Sequence, residues 1–225
     1  DSKHVGNMLV HKLGFPSKKV RVLFTGGLDL NRYTPVQKKS GPDIHIGSVG
    51  SLFHQKGFDT LIHIASSIAK KNANVQFHIA GAGPDHEKLS RLIEYYDLKN
   101  KFHLHGLVHN IPEYLSSLDI YVQTSRYEGL CIAVVEAMAC GLPLVAFDVG
   151  GISESVQNGA NGFILAPGDT EAFEEKLVDL IKNDDLRERM GRRSREISIS
   201  KHNIEDFIVN FEDTITKISQ KIDLR

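Results

Sequence analysis

The chain has 225 residues, 41% of them hydrophobic and 24% charged, which is the composition of an ordinary globular protein. Its net charge of −1 disfavours nucleic-acid binding, which depends on an excess of basic residues. No run of about 18 apolar residues occurs, so no membrane-spanning helix is predicted. Cys131 and Cys140 lie in apolar surroundings and are expected to be small buried hydrophobic residues in a reducing compartment.

Residues 1–43 are interpreted as the end of a preceding domain followed by a linker. They carry a helical pattern, a strand predicted over residues 20–24, and turn residues such as Pro35. The first 40 residues hold eight Lys or Arg against two Asp. This surplus predicts either a solvated surface or a face that approaches anionic lipid or a phosphate-bearing acceptor. Because the chain starts without an initiator Met, we expect it to be cut from a longer polypeptide.

From Ile44 onward, apolar runs that predict strands alternate with segments of helical periodicity. The predicted strands are 45–49, 75–80, 101–104, 120–123, 144–147 and 162–165. The predicted helices between them are 57–71, 85–96, 111–117, 132–140 and 152–157. Such alternation predicts an α/β fold, with a doubly wound parallel sheet of about six strands covered by helices on both faces. A helical tail follows, with predicted helices 170–182, 184–199 and 203–222. We assign residues 44–200 to the sheet domain and residues 201–225 to a terminal helix.

Ligands of such sheets bind beyond the carboxyl ends of the strands. The segment after the fourth predicted strand is the most informative, since a helix predicted from Ile132 would point its free N–H groups at this edge and bind phosphate there. Gly129 would permit close approach of the backbone. Glu128 and Glu136 flank the helix start, and carboxylates bind sugar or ribose hydroxyls well. Glu136 as a solvated helix residue is the alternative, but its apolar neighbours favour a functional role.

Three segments, residues 128–143, 148–154 and 158–169, occur in the order seen in glycosyltransferase family 4 (group 1), and the chain resembles that family over residues 44–182. The resemblance implies the C-terminal, donor-binding lobe of a retaining enzyme with the two-lobed GT-B architecture, each lobe being Rossmann-like. Residues 1–43 would then be a remnant of the N-terminal lobe and the hinge. The terminal helix would cross back onto that lobe.

The resemblance also implies roles for individual residues. Glu128 would lie at the reacting centre and Glu136 would bind ribose. The backbone at Gly129, Leu130, Cys131 and Ile132 would hold a diphosphate.

A second group of residues corresponds in position to the family's phosphate-binding loop and comprises Gly50, Ser51 and Lys56. By resemblance, Lys56 would be a catalytic cation. Ser51 replaces the usual arginine, so the site lacks one of two fixed cations unless His54 or Arg126 compensates. The alternative for Lys56 is an exposed lysine at a helix start.

Two further loops are assigned to the nucleotide crevice by resemblance. Gly83 belongs to a Gly-x-Gly turn, which is weak evidence of nucleotide binding and equally typical of a helix start. Leu107 and Val108 are predicted to form the pocket for the base. His105 and His109 lack acidic or Cys partners at ligand spacing, so we predict no metal site.

The implied reaction transfers a hexosyl group from a nucleotide-diphosphate sugar, with UDP favoured over GDP, to a glycan or lipid-linked acceptor. Retention of anomeric configuration is expected, without a metal or other cofactor. Because acceptor binding would need the N-terminal lobe, we expect this chain to bind donor without full activity. Bacterial polysaccharide or lipopolysaccharide assembly is the expected setting, in the cytoplasm or at the inner face of the membrane. The alternatives are an epimerase of the same architecture and a nucleotide-binding Rossmann module.

Overall fold

The computed structural model describes residues 2–22, 27–36, 41–72 and 74–223, without the side chains of 220–223. The strands are β1 (Ile44–Val49), β2 (Val75–Ala80), β3 (Phe102–Leu104), β4 (Ile120–Gln123), β5 (Leu144–Phe147) and β6 (Gly162–Leu165). The helices are α1 (Lys3–His11), α2 (Phe58–Lys71), α3 (His86–Tyr95), α4 (Ile111–Ser116), α5 (Ile132–Ala139), α6 (Ile152–Ser155), α7 (Thr170–Lys182), α8 (Asp184–Lys201) and α9 (Ile204–Asp223).

The six strands form one parallel sheet in the order β3-β2-β1-β4-β5-β6. The chain starts in the middle of the sheet, winds outward to β3, and returns to place β4 beside β1. The contact between these two central strands pairs Ile46 with Ile120 and Gly47 with Tyr121. Since the chain leaves β1 and β4 in opposite directions, a crevice opens between the loops that follow them. The predicted doubly wound sheet and the helical tail after it are confirmed.

Helices pack on the sheet in two groups. Helix α2 contacts α3 and α7, while α5 contacts α4, α6 and α8. Five of the eight residues of α5 are buried, among them Val134, Ala137 and Met138. A fully buried Val or Met side chain contributes roughly 1.5–3 kcal/mol relative to exposure. The position of α5 is therefore fixed by the core, and its first turn is held at the carboxyl edge of the sheet.

Helix starts differ in how their free N–H groups are satisfied. Asn110, Asp169 and Asn183 cap α4, α7 and α8, and each side chain accepts a hydrogen bond from a backbone N–H three residues ahead. Helices α2 and α5 have no side-chain cap. Helices α3 and α6 also start without a side-chain cap. Because α2 and α5 follow the central strands β1 and β4, their uncapped starts lie at the crevice.

The strand predicted over residues 20–24 is not seen in its described part. Residues Ser17–Lys19 form one turn of 3-10 helix, and residues 20–22 belong to no strand, while 23–26 lie outside the described residues. An apolar pattern makes a strand only where a neighbouring strand can pair with it. Helix α6 is shorter than predicted because Val156 adopts an extended conformation after Ser155. None of the helices described combines the length and apolarity that crossing a bilayer requires.

Histidines crowd one face of the sheet along β1, β2 and β3. His45 Nδ1 lies 3.0 Å from His78 Nε2, and His78 Nδ1 lies 3.0 Å from His105 Nε2. His103 stacks on His78 and hydrogen-bonds to Gln76. Burial, together with the neighbouring imidazoles, lowers the pKa of His78 to about 3. Burial also lowers the pKa values of His103 and His105, so folding favours the neutral form of these three imidazoles.

This cluster predicts that the fold loses stability in acid. Between its ordinary pKa of 6.5 and about 3, His78 binds a proton only when unfolded, so the free energy of unfolding falls as pH decreases through that window. His202, whose pKa burial lowers to about 4, adds to the effect. The variant His78→Gln should reduce the pH dependence, measured by urea unfolding from about pH 7 to about pH 5. The exposed His109→Gln is the control and should keep the wild-type slope. Equal slopes for both variants would contradict this account.

Candidate functional site

The two loops at the switch between β1 and β4 bring an ion pair together. Residues His54–Lys56 form one turn of 3-10 helix, and Gly57, with φ of 65°, leads into α2. Lys56 Nζ lies 2.7 Å from Glu128 Oε1 in the loop after β4. The side chain of Glu128 is 6% exposed and that of Lys56 is 21% exposed. The residues assigned to the reacting centre therefore meet across the crevice, with Lys56 on the solvent side.

Glu128 is held by three further donors. Ser125 Oγ lies 2.6 Å and Gln123 Nε2 lies 3.1 Å from Oε1, and the Cys131 thiol also hydrogen-bonds to the carboxylate. The Tyr121 hydroxyl in turn donates to Gln123 Oε1 at 2.8 Å. The carboxylate is therefore fixed before any ligand arrives. Sequence reasoning missed these supporting residues, although a polar Gln123 ending an apolar strand was a usable signal.

The start of α5 carries the features expected of an anion site. Cys131 adopts a left-handed conformation, with φ of 62°, and no side chain caps the helix after it. The carbonyl of Gly129 accepts a hydrogen bond from the N–H of Gly151, which ties this loop to the one after β5. Leu130 is buried, and Ile132 is 43% exposed. Burial, reinforced by the Glu128 carboxylate, raises the pKa of the Cys131 thiol. The thiol is therefore neutral and adds no negative charge where an anion would bind.

A pocket of about 260 Å³ lies beyond the ends of β1 and β2. The predicted residues Gly50, Ser51, Leu107 and Val108 all line it, together with Val49, Ala80, Gly81, Ala82 and Ile111. Its walls are backbone and apolar side chains, a surface suited to a flat ring.

Gly83 is not among the residues that line this pocket. A Cβ at this position would lie 2.5 Å from the carbonyl oxygen of Leu52, so close packing between two loops requires the glycine. Gly83 thus packs between two loops, and its contact with donor stays a prediction.

Arg126 joins the loop after β4 to the loop after β1 and to α2. Its guanidinium forms a bidentate ion pair with Asp59 on α2, with N···O distances of 2.9 and 3.1 Å. It also donates to the carbonyl of His54 at 2.7 Å. The guanidinium lowers the pKa of Asp59 against the opposing effect of burial. Arg126 therefore clamps the loop after β4 to the start of α2, and its predicted binding of donor and compensation for Ser51 stay predictions.

Glu136 is half-buried on α5 and meets a residue of the linker. The Tyr33 hydroxyl donates to Glu136 Oε1 at 2.6 Å. Burial raises the pKa of Glu136, and the hydrogen bond from Tyr33 opposes that rise. Nothing in the sequence pattern marked Tyr33, because a linker carries no periodicity from which its packing can be read.

Among the described residues, no group of three or more His, Cys, Asp or Glu side chains has a geometry suited to a metal ion. Independence from metal stays a prediction.

A glycine substitution tests how tightly the loops after β4 and β5 are packed. A Cβ at Gly150 would lie 2.0 Å from the Glu128 carbonyl oxygen, whereas one at Gly159 would meet nothing within 4 Å. Both residues have positive φ, so each change to Ala carries a similar backbone cost of about 1 kcal/mol. Gly150→Ala should lower the free energy of unfolding by roughly 1–3 kcal/mol more than Gly159→Ala, measured by denaturant titration. Equal losses would mean that the two loops are not closely packed.

Comparison with known proteins places this geometry in a family. The family model described as glycosyl transferases group 1 matches residues 31–197. The poly(ribitol-phosphate) alpha-N-acetylglucosaminyltransferase of Staphylococcus aureus is 30% identical over 164 residues, which cover 72% of this chain and 33% of that protein. An uncharacterised glycosyltransferase of Haemophilus influenzae is 36% identical over 152 residues, covering 67% of this chain and 43% of the relative. The chain thus spans less than half the length of these relatives.

A similar solved structure is a variant of Staphylococcus aureus TarM in complex with fondaparinux, alpha-GlcNAc-glycerol and UDP. It has a TM-score of 0.76 and 28% identity, and the match covers 80% of this chain and 37% of TarM. Because the family model spans about three quarters of the sequence, the chain belongs to the glycosyl transferases group 1 family.

Proposed function

We propose that this chain is the donor-binding lobe of a retaining hexosyltransferase that uses a nucleotide-diphosphate sugar, with UDP favoured. The observation that carries the proposal is the Lys56–Glu128 ion pair, 2.7 Å long, at the switch between β1 and β4. It places a cation and a fixed carboxylate between an uncapped helix start and an apolar pocket. These are the elements that a diphosphate, a sugar and a nucleoside each require.

The diphosphate would lie between Lys56 and the start of α5. An ammonium group has three N–H donors, so Lys56 can keep its hydrogen bond to Glu128 and still donate to a phosphate oxygen. The backbone from Gly129 to Ile132 and the positive end of the helix dipole would supply the remaining stabilisation. Both act on charge that grows as the bond between the anomeric carbon and the phosphate oxygen breaks. Because Ser51 carries no charge, the affinity for the diphosphate depends heavily on Lys56.

Glu128 would orient the sugar and stabilise the positive charge that develops at its ring. Four donors hold the carboxylate in place, so little reorganisation is needed during the reaction. The acceptor hydroxyl oxygen forms the new bond to the anomeric carbon as the bond from that carbon to the phosphate oxygen breaks, and the departing diphosphate takes up the hydroxyl proton. We assign no covalent intermediate to Glu128.

The nucleoside would lie along the carboxyl edge from α5 to β3. Its base would occupy the pocket lined by Leu107 and Val108, and its ribose hydroxyls would donate to Glu136. UDP in the TarM complex supports a uridine nucleotide. Alpha-linked products in the names of the relatives support retention, since common hexosyl donors are themselves alpha-linked.

The acceptor would be a glycan or a lipid-linked glycan, bound through an N-terminal lobe; the matched regions cover only 33% and 43% of two relatives, which leaves room for one. Residues 1–43 and 201–225 would belong to the junction with that lobe. We therefore propose that the 225-residue chain binds donor but transfers sugar slowly or not at all. We place the whole enzyme in the cytoplasm, or at the inner face of the membrane, in polysaccharide or lipopolysaccharide assembly.

Calorimetric titration of the chain with UDP, GDP and ADP, each with and without Mg²⁺, tests the nucleotide and the metal together. We expect UDP to bind most tightly, with an affinity that Mg²⁺ does not change, because Lys56 and the helix start take the place of a metal. Binding that required Mg²⁺ would refute the metal-free mechanism. A preference for GDP or ADP would refute the uridine assignment.

Two variants test the assigned contacts. Lys56→Met should weaken UDP binding by about tenfold or more, since a hydrogen bond between charged groups contributes roughly 1.5–3 kcal/mol. Glu136→Ala should weaken it through the ribose. Lys99→Met is the control, because Lys99 pairs with Glu94 before β3, at the opposite edge of the sheet. Wild-type affinity in Lys56→Met would remove the central argument for the site.

A further inference from the structure

Glu136 has a hydrogen-bonding partner that comes from outside the sheet domain. The Tyr33 hydroxyl lies 2.6 Å from Glu136 Oε1, and the ring of Tyr33 packs against the edge of the core. Burial and the nearby carboxylate raise the pKa of Tyr33, so its hydroxyl stays protonated and donates. The contact joins the linker to the carboxylate assigned to the nucleotide.

The linker residues around Tyr33 are tied to the helix that carries Glu136. Arg195 on α8 donates to the carbonyl of Tyr33 and also to the carbonyls of Ala139 and Leu30, at 2.9 and 3.3 Å. Ala139 is the last residue of α5. The Arg195 guanidinium thus fixes the position of Tyr33 relative to the end of α5. The phenol therefore reaches Glu136 in a fixed position.

The charge state of Glu136 depends on this contact. Burial raises the pKa of its carboxyl, while the hydrogen bond from Tyr33 lowers it. The other ionisable groups around the pair are Arg32 and Cys140, which act on Tyr33, and Arg195 beside the end of α5. An ionised carboxylate offers about four acceptor positions, of which Tyr33 uses one. The remainder can accept from a vicinal diol.

We propose that Tyr33 is a positioning residue, whose phenol orients the Glu136 carboxylate so that it accepts the ribose hydroxyls of the donor. This inference rests on the proposed function, because it assumes that ribose binds at Glu136. Tyr33 then determines how strongly the site distinguishes a ribonucleotide from a nucleotide without ribose hydroxyls.

The test compares UDP with 2′,3′-dideoxy-UDP in calorimetric titrations of the 225-residue chain and its Tyr33→Phe variant. Phenylalanine keeps the ring and removes only the hydroxyl. We expect the wild type to prefer UDP by about tenfold or more, and Tyr33→Phe to lose most of that preference while binding the dideoxy compound as before. Tyr95→Phe, at a 79% exposed position, is the matched control and should keep the preference.

The pH profile separates positioning from general loosening of the fold. Without the Tyr33 hydrogen bond, Glu136 should take up a proton at a higher pH, so UDP affinity in Tyr33→Phe should begin to fall nearer to neutrality than in the wild type. A variant that is merely less stable would bind less at every pH without this shift.

The outcomes distinguish the inference from the proposed function. A wild type that binds both nucleotides equally would overturn the ribose assignment of Glu136, and this inference with it. A wild type that prefers UDP, together with Tyr33→Phe showing the same preference and pH profile, would overturn the role of Tyr33 alone. Tighter UDP binding by Tyr33→Phe would also overturn it, because Tyr33 would then compete with ribose.

Discussion

The ion pair between Lys56 and Glu128 is the contact on which the site depends. A lysine with 21% exposure beside a carboxylate with 6% exposure is stable only because other donors share the buried negative charge. Ser125, Gln123 and the Cys131 thiol supply them. The pair also joins the two loops that leave the sheet in opposite directions, so it spans the crevice at its centre.

The order of the site derives from backbone packing as much as from these side chains. The loops after β1, β4 and β5 approach so closely that a Cβ at Gly57 or Gly150 would lie 2.0 Å from a carbonyl oxygen of the loop after β4. Arg126 and Asp59 reinforce the same junction. The start of α5 is thereby fixed by the core on one side and by neighbouring loops on the other, as a preorganised anion site requires.

Much of the fold was predictable because its signal is local. The apolar runs of β2, β4, β5 and β6 are short and separated by helical periodicity, and their predicted bounds agree with the structure. The sequence placed Lys56 and Glu128 in loops after central strands, but their direct ion pair was not predicted. The contacts of Arg126 with Asp59 and of Tyr33 with Glu136 join residues 67 and 103 positions apart, and no periodic pattern specifies such contacts. The strand expected over residues 20–24 was wrong at residues 20–22, because pairing partners cannot be read from one segment.

Cys131 has a consequence for how this protein responds to selection. A left-handed backbone at a residue other than glycine costs roughly 1–2 kcal/mol, while its thiol contacts the carboxylate of Glu128. Glycine at this position relieves the backbone strain and removes a support of the carboxylate at the same time. A search for thermostable variants would therefore favour Cys131→Gly, although this change leaves the proposed reacting centre less ordered. A gain in stability at this one position would then come with a loss of catalytic activity.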